Sequence, residues 1–461
     1  MNESEPRKKD NWSSRFAFLY ACAGAAIGLG SLWRFPYVAG ANGGGAFVLL
    51  FLAFVALLCV PVMMAEMLIG KRGGGSAIFS VGAMIRGERA LGAWGAIGWL
   101  SILIPFLGLS YYSVVAGWGL DYARVAISEG FTGFDGAQSA AKFSELTQDP
   151  LRQGLMQFLF IAAAASVVAL GVQRGIEWVS RIKMLGLFAI IIGLIFYSAR
   201  TYGLERAANY LFAPNFSALT GESVLAALGQ ALFATSVGVG VLMTYSAYLP
   251  RRMSLTTAAL AINGSVAMVA TLAGLAIFPA VFANGLKPEG GPNLIFVTLP
   301  TAFSNMPAGQ IVGAFFFVMI VLAAFTVAVG MLEPVVAWLI ERTGLGRGVL
   351  AYLTGLGAFA IGLPSLLSFN LLANWHPLES VPIFATKTFF DIIDFSIANV
   401  MLPLNALLIA VFVGWSVSRA TVDEELQLKG KSRALWRFLV RYLAPALILG
   451  LMIKLIADQG S

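Results

Sequence analysis

Apolar stretches long enough to form membrane-spanning helices recur along the whole of this 461-residue chain. An α-helix of about 20 apolar residues crosses a hydrocarbon layer of roughly 30 Å. Because 59% of the residues are hydrophobic and only 11% are charged, the chain is predicted to be an all-α polytopic membrane protein. Eleven transmembrane helices are expected, at residues 13–41, 44–70, 91–124, 153–171, 177–199, 222–248, 255–283, 308–341, 347–369, 390–417 and 435–457.

The basic residues predict the orientation of these spans. Lys71, Arg72, Arg174, Arg342 and most other cations of the loops fall on one side of the predicted topology, which the positive-inside rule makes cytoplasmic. The N-terminus is then cytoplasmic and the C-terminus external, in a multi-pass protein of the cell (inner) membrane. The net charge of +7 is explained by cytoplasmic loops near anionic lipid and calls for no nucleic acid. Residues 1–11 are polar and lead straight into an apolar span, so no cleavable signal peptide is expected.

Two spans contain glycine-rich breaks. Gly24, Gly28, Gly30 and Pro36 interrupt the first span, and the segment 230–240 interrupts the sixth. Lipid offers no partners for free backbone groups, so such segments survive at membrane depth where they line a site enclosed by protein. Breaks at the start of two consecutive five-span halves are typical of inverted-repeat secondary transporters. The alternative is close helix contact through small residues.

This reading divides the chain into a cytoplasmic N-terminal segment, two repeats and a final span. The predicted boundaries are 1–12 for the N-terminal segment, 13–199 for the first five-span repeat, 200–221 for an external loop, 222–417 for the second five-span repeat, 418–434 for a cytoplasmic loop, and 435–461 for the eleventh span and C-terminus.

The region around the first break closely resembles the neurotransmitter:sodium symporter family. It contains Gly-Leu-Gly-Ser-Leu-Trp-Arg-Phe-Pro at 28–36 and Asn-Gly-Gly-Gly-Ala-Phe at 42–47. Further matches along the whole chain are Glu66, Tyr111, Tyr112, Glu177, Gln230, Tyr245, Tyr248, Asp391 and Asp394. The resemblance implies a leucine-transporter-like 5+5 inverted repeat with broken spans 1 and 6, alternating access, and cation-driven uptake of amino acids or related amines.

The resemblance also implies a substrate pocket. Its expected residues are Ala26, Gly30, Tyr112, Phe233, Ser236, Val239 and Met331. The N–H groups at the broken first helix and the Tyr112 hydroxyl suit a carboxylate. Gly28 stands where monoamine carriers of the family have an acid, so an amino acid is favoured. Val239 and Met331 indicate an apolar, adaptable pocket for a neutral side chain, with plain helix packing as the alternative reading of these two residues.

Two gates are carried over from the family. The external gate is expected to consist of Arg34, Asp394, Tyr112 and Phe233. The cytoplasmic gate is expected to consist of Lys9, Trp12, Tyr248 and Glu341. A buried arginine without a partner is costly, which favours pairing of Arg34 with Asp394. Lys9 and Glu341 have the alternative of being ordinary solvated ends of spans.

The first sodium site of the family is degraded in this chain. Its side-chain positions read Ser31, Ala234 and Val266. A hard cation stripped of water needs several oxygen ligands, so no metal ion is expected there. Asn263 lies one helical turn from Val266 and would restore a ligand if the alignment slips by a few residues.

The second sodium site is weakened as well. Its expected contributors are Gly24, Ile27, Ala323 and Thr326, and Val327 replaces a second hydroxyl.

Lys183 provides an explanation for these losses. It lies about six residues, roughly 9 Å, inside the fifth predicted span. In the wider amino acid, polyamine and organocation superfamily, proton-coupled or sodium-independent members carry a fifth-span lysine whose ammonium replaces the second sodium, and Lys183 is similar in placement. Burial disfavours the charged form of a lysine, which suits it to proton exchange. The alternative is a lysine that extends to the cytoplasmic surface beside Arg174 and Arg181.

The sequence therefore predicts a secondary transporter that imports neutral, apolar amino acids and is proton-coupled or sodium-independent, with H+ as the expected coupling ion. The alternatives are a sodium-coupled symporter using the residual second site, and a non-transporting amino acid sensor or leak channel. The expected partners are the amino acid substrate and the lipid bilayer. No cofactor and no obligate protein partner are expected. An enzyme is not indicated, because Cys22 and Cys59 lie within predicted spans and the lone His376 reads as a solvated loop residue.

Overall fold

The computed structural model describes residues 11–249, 253–285 and 293–457, and in these ranges the chain folds into helices without a β-strand. Nine continuous helices in the described part are long and apolar enough to cross a membrane: Gly45–Gly73, Gly92–Ser128, Pro150–Ala169, Val172–Thr201, Leu255–Ala283, Gly309–Thr343, Arg347–Leu367, Phe389–Ser416 and Gly430–Leu455. A helix pair bent by 56°, Arg15–Ala26 and Gly30–Ala41, forms the first span.

The predicted sixth span is also a broken pair, made of Gly221–Thr235 and Val241–Ala247. At 15 and 7 residues, neither half is long enough to cross a bilayer by itself. Each predicted span thus corresponds to a helix or a broken pair, and the all-helical membrane fold is confirmed. The last helix begins at Gly430, before the predicted start at 435. The predicted start was late because Lys431 and Arg433 lower the hydropathy of the first helical turn.

Small side chains make the break in the first span possible. The helix ends at Ala26, Ile27 adopts an extended conformation, and the helix resumes at Gly30. A Cβ atom on Gly28 would lie 2.6 Å from Cγ2 of Val327, and one on Gly30 would lie 2.9 Å from Cδ1 of Phe233. The neighbouring helices therefore pack directly against this backbone.

The break in the sixth span depends on left-handed backbone conformations. Ser236, Gly238 and Gly240 have φ angles of 54°, 85° and 94°, a region that glycine adopts readily and other residues seldom do. Glu66 accepts hydrogen bonds from the amides of Gly238 (2.8 Å) and Gly240 (3.1 Å), and Asn405 donates to the Gly238 carbonyl at 2.7 Å. These side chains supply the partners that the interrupted helix lacks.

Five shorter helices lie in the connecting segments, at Ala77–Glu88, Gly136–Gln148, Glu205–Phe212, Leu294–Ser304 and Arg419–Leu426. Glu88 accepts hydrogen bonds from the Ser418 amide (3.0 Å) and the Thr421 hydroxyl (2.5 Å), which fixes the last of these helices to the first. At the centre of the molecule, the long helices Gly92–Ser128 and Gly309–Thr343 pack along each other and flank both breaks.

Candidate functional site

The seven residues expected to bind substrate line one cavity between the two breaks, together with Gly28, Leu29, Ile104, Gly108, Tyr111, Val327, Ile397 and Leu402. Its volume is about 40 Å³. The cavity has a polar end beside the first break and an apolar end on the opposite wall.

The polar end is formed by the first break and the third span. The amide of Leu29 approaches the hydroxyl of the buried Tyr112 at 3.5 Å. The helix that resumes at Gly30 begins at the cavity wall. A helix N-terminus carries a partial positive charge, so this end favours an anionic group.

The apolar end is formed by aliphatic side chains and one thioether. Val239, Val327, Ile397 and Met331 line it. A Cβ atom on Gly108 would lie 3.6 Å from Cε of Met331, which is ordinary van der Waals contact, so the methionine packs next to this glycine. Met331 is flexible enough to adapt to side chains of different shape.

A larger cavity of about 440 Å³ opens above the substrate pocket, on the side predicted to be external. Arg34, Asp394, Tyr112 and Phe233, the four residues expected in the external gate, all line it. The Arg34 guanidinium lies 4.5 Å from the centre of the Phe233 ring. The charges of Arg34 and Asp394 are close enough to interact. In the described structure, however, no nitrogen of Arg34 lies within 4.0 Å of a carboxylate oxygen of Asp394. The outer side is therefore lined by the gate residues without being sealed by them.

The side predicted to be cytoplasmic is closed. Trp12 is buried and donates from Nε1 to the Tyr245 carbonyl at 2.9 Å. Tyr248 donates from its hydroxyl to Glu333 at 2.8 Å, and Arg347 forms an ion pair with the same carboxylate. Arg347 also donates to the Val168 carbonyl at 2.8 Å, which joins the eighth and ninth spans to the end of the fourth.

The other half of the expected cytoplasmic gate is arranged differently. Glu341 accepts hydrogen bonds from the amide of Ser76 (2.7 Å) and from the Ser76 hydroxyl. Lys9 lies outside the described residues. Sequence reasoning missed Glu333 and Arg347, although an acid inside a predicted span is itself a signal of function.

Lys183 lies at the first break. Its side chain is 1% exposed, and its Nζ atom donates to the carbonyls of Ile27 (2.7 Å) and Gly24 (3.1 Å). Thr326 donates from Oγ1 to the same Gly24 carbonyl at 2.8 Å, and Ala323 lies buried one turn away. The ammonium thus meets the C-terminal end of the helix Arg15–Ala26, where unpaired carbonyls and the helix dipole favour a cation.

The three side chains expected at the first sodium site offer a single hydroxyl oxygen. Ala234 and Val266 are buried and apolar, and the Ser31 hydroxyl is buried without a hydrogen-bond partner among the described residues. Asn263 directs its amide nitrogen to the Ala259 carbonyl (2.9 Å) and to the sulfur of Met63 (3.0 Å).

Comparisons with known proteins identify the family of this chain. A sequence profile described as the sodium:neurotransmitter symporter family matches residues 9–133 and 144–460. The chain is 39% identical to YhdH of Bacillus subtilis (strain 168), named as an uncharacterized sodium-dependent transporter, over 99% of each chain. It is 32% identical to an uncharacterized sodium-dependent transporter of Haemophilus influenzae, over 97% of this chain and 98% of that one.

A solved structure shares the fold at high similarity. The crystal structure of MhsT in complex with L-phenylalanine superimposes with a TM-score of 0.87 and 36% identity, covering 97% of this chain and 100% of that chain. The profile, the full-length relatives and the shared fold lead to one conclusion. The chain belongs to the sodium:neurotransmitter symporter family, whose members are membrane transporters and not enzymes.

Proposed function

We propose that this protein imports neutral, apolar amino acids across the cell membrane by alternating access. The observation that carries the proposal is a single cavity with a helix N-terminus and Tyr112 at one end and Val239, Val327 and Met331 at the other. The polarity of the two ends matches a zwitterion whose carboxylate lies at the first break and whose side chain points to the aliphatic wall. The L-phenylalanine in the MhsT complex is consistent with such a substrate.

Gate geometry supports a carrier over an open pore. The Trp12 side is closed by buried hydrogen bonds and the Glu333–Arg347 pair, whereas the Arg34 side has a cavity above the pocket. A carrier needs this asymmetry to reverse during each cycle. We assign the Trp12 side to the cytoplasm, following the distribution of basic residues.

For the coupling ion, we propose that the Lys183 ammonium acts in place of the second sodium. The proposal is supported by the hydrogen bonds that the Lys183 Nζ atom donates to the Ile27 carbonyl (2.7 Å) and the Gly24 carbonyl (3.1 Å). A charged donor binds a carbonyl about twice as strongly as a neutral one. Protonation of Lys183 would therefore hold the first break in the observed conformation, and loss of the proton would loosen it.

The first sodium position supports the same assignment. Of its three expected side chains, Ser31 alone offers an oxygen, while Ala234 and Val266 are apolar. These three side chains by themselves supply fewer oxygen ligands than a dehydrated sodium ion needs.

Sodium coupling through the second site is the competing function. It is favoured by the sodium-dependent names of the relatives and by the oxygens of Gly24, Ile27 and Thr326. In that case Lys183 must leave these carbonyls when the ion binds.

Uptake into proteoliposomes separates the two. With a pH gradient and no sodium, labelled L-phenylalanine should accumulate in liposomes containing the wild-type protein. The Lys183→Met variant, which keeps the side-chain length and removes the charge, should bind substrate but lose accumulation driven by pH. Lys71→Met is the matched control, because Lys71 is a second largely buried lysine, paired with Glu425 away from the pocket.

Uptake that requires sodium and ignores pH would reject proton coupling. Exchange of labelled for unlabelled substrate in the absence of any gradient tests transport itself. A sensor would bind substrate without such exchange, and a leak channel would pass it without saturation.

A further inference from the structure

A cluster of four arginines lies at one end of the eleventh span. Arg433, Arg437 and Arg441 follow one another at intervals of four residues, which places them on one face of the helix. Arg419, at the start of the helix Arg419–Leu426, and Asp423 lie close enough for their charges to act on Arg437. This arginine cluster, Arg419, Arg433, Arg437 and Arg441, belongs to none of the gates or pockets described above.

In the described part of the chain, the nearby acids pair with Arg433 and with cations outside the cluster. Asp423 pairs with Arg433 at 2.8 Å, while Glu424 and Glu425 pair with Arg72 and Lys71. Within the described residues, Arg437 and Arg441 form no ion pair.

Both of these arginines also have an unused donor. The Nε atoms of Arg437 and Arg441 are buried without a hydrogen-bond partner in the described structure. Like charges four residues apart on a helix repel each other, and buried donors without partners are costly. An anion beside the two guanidinium groups would relieve the repulsion between them.

An aromatic group borders the two arginines. The Arg441 guanidinium lies 4.5 Å from the centre of the Trp415 ring, and Trp415 donates from Nε1 to the Arg441 carbonyl at 3.2 Å. A Cβ atom on Gly414 would lie 3.0 Å from Cγ of Arg441, so this glycine allows the tenth and eleventh spans to approach closely. Tyr442 contacts Trp415 edge to face, with ring centres 5.5 Å apart, and Phe438 lies 5.9 Å from Tyr442.

The position of this group is that of a membrane interface. Trp415, Phe438 and Tyr442 are each about half exposed, and Gly430–Leu455 is the least buried of the nine continuous spans in the described part of the chain. Tryptophan and tyrosine concentrate where the hydrocarbon meets the headgroups. Arg437 and Arg441 lie in the first turns of the apolar segment 435–457, on the side that the basic loops make cytoplasmic.

We infer that Arg437 and Arg441 bind the phosphate of an anionic phospholipid, with Trp415 and Tyr442 packing against the adjoining glycerol and acyl region. Guanidinium groups suit a phosphate because they present several N–H donors in a planar fork. The cytoplasmic leaflet carries the anionic lipids that basic sites between transmembrane helices bind. The site is independent of substrate binding and of the coupling ion.

Thermal unfolding in nanodiscs tests the inference. The full chain is reconstituted in phosphatidylcholine with and without phosphatidylglycerol, and Tm is measured in each. Phosphatidylglycerol should raise the Tm of the wild type, and the variant with Arg437→Gln and Arg441→Gln should lose more than half of that increase. The matched control carries Arg86→Gln and Arg89→Gln, two exposed arginines on the same predicted side, and should keep the increase.

Three results would overturn it: an equal Tm increase in the double variant and the wild type, an equal loss in the Arg86 and Arg89 control, or the same stabilisation of the wild type by inorganic phosphate in phosphatidylcholine alone. The last result would identify a site for a free anion.

A second measurement guards against a misfolded variant. The fluorescence of Trp415 is obtained as the difference between the wild type and the Trp415→Phe variant. Brominated phosphatidylglycerol should quench this Trp415 fluorescence, and the quenching should disappear in the Arg437 and Arg441 double variant. Persistent quenching of Trp415 in the double variant would show that the arginines do not hold the lipid there.

Discussion

Single buried polar side chains stabilise the backbone at the breaks through hydrogen bonds. Glu66 has no exposed surface, and its carboxylate is satisfied by backbone amides of the sixth span. A carboxylate that accepts several amide hydrogen bonds replaces the helical partners that the left-handed residues forgo. The conformation of the break therefore depends on one acid from the second span.

We expect Glu66→Gln to destabilise the protein by about 2 kcal/mol, because the amide loses the charge-assisted bonds and turns an N–H donor toward backbone N–H groups. Thermal unfolding in detergent would measure the change. Glu379→Gln, at an exposed position, should leave Tm within error. An unchanged Tm for Glu66→Gln would contradict the role assigned to its carboxylate.

Tyr112 is the side chain at the polar end of the pocket. Tyr112→Phe removes one hydroxyl donor to the proposed carboxylate, and a hydrogen bond to a charged group contributes about 1.5 kcal/mol or more. The Kd for L-phenylalanine should therefore rise about tenfold. Equilibrium binding to purified protein measures it, and Tyr352→Phe, whose ring is half exposed on another face, serves as the control. An unaltered Kd would remove Tyr112 from the binding site.

The breaks in spans 1 and 6 determine how the neighbouring helices pack. Spans 1 and 6 each consist of two half-helices, and the glycines at the breaks both bend the chain and let neighbouring helices pack closely. At Gly240 the φ angle is 94° and a Cβ atom would lie 2.4 Å from the backbone oxygen of Ser101 in the third span. The close packing of the third and sixth spans requires a glycine at this point.

Gly240→Ala should accordingly destabilise the fold by at least about 2 kcal/mol, through backbone strain and overpacking. Lower yield of monodisperse protein and a reduced Tm would report it. Gly264→Ala is the matched control, because a Cβ atom there meets open space in the middle of a helix, and it should be neutral or mildly stabilising. Equal behaviour of the two variants would be evidence against a steric requirement at Gly240.

Sequence reasoning located these elements better than it located their partners. Residues 255–283 were predicted from hydropathy and form a helix over the same range, Leu255–Ala283. Apolar runs define membrane helices directly, whereas the Glu333–Arg347 pair joins two spans whose approach depends on packing that no local pattern encodes. The expected substrate residues came from the family resemblance, since composition and periodicity alone do not select them.

At the scale of the whole molecule, the two sides of the substrate pocket differ in how they are closed. Arg347→Gln would remove one arm of the network at Glu333 and favour opening on the Trp12 side. Cys22, which is buried in the first span close to Tyr245, offers a native probe of that opening.

In a Cys59→Ala background, Cys22 should react slowly with a water-soluble thiol reagent, and Arg347→Gln should accelerate the reaction severalfold. Arg342→Gln, at the exposed end of the eighth span, should have no such effect. If both variants react at the rate of the parent, the network does not hold the cytoplasmic side closed.

The short linker between the half-helices of span 1 contacts two different polar groups, one at each end. Ile27 gives its carbonyl to an amine from span 5, while two residues later Leu29 faces the phenol at the pocket. Binding of a proton to the amine and binding of substrate at the pocket therefore act on the same short linker. By thermodynamic linkage, each binding event changes the affinity of the other to the same extent. The substrate affinity should then depend on pH, and the size of this dependence should equal the number of protons bound or released when substrate binds. Calorimetry in buffers of different ionisation enthalpy measures that number of protons.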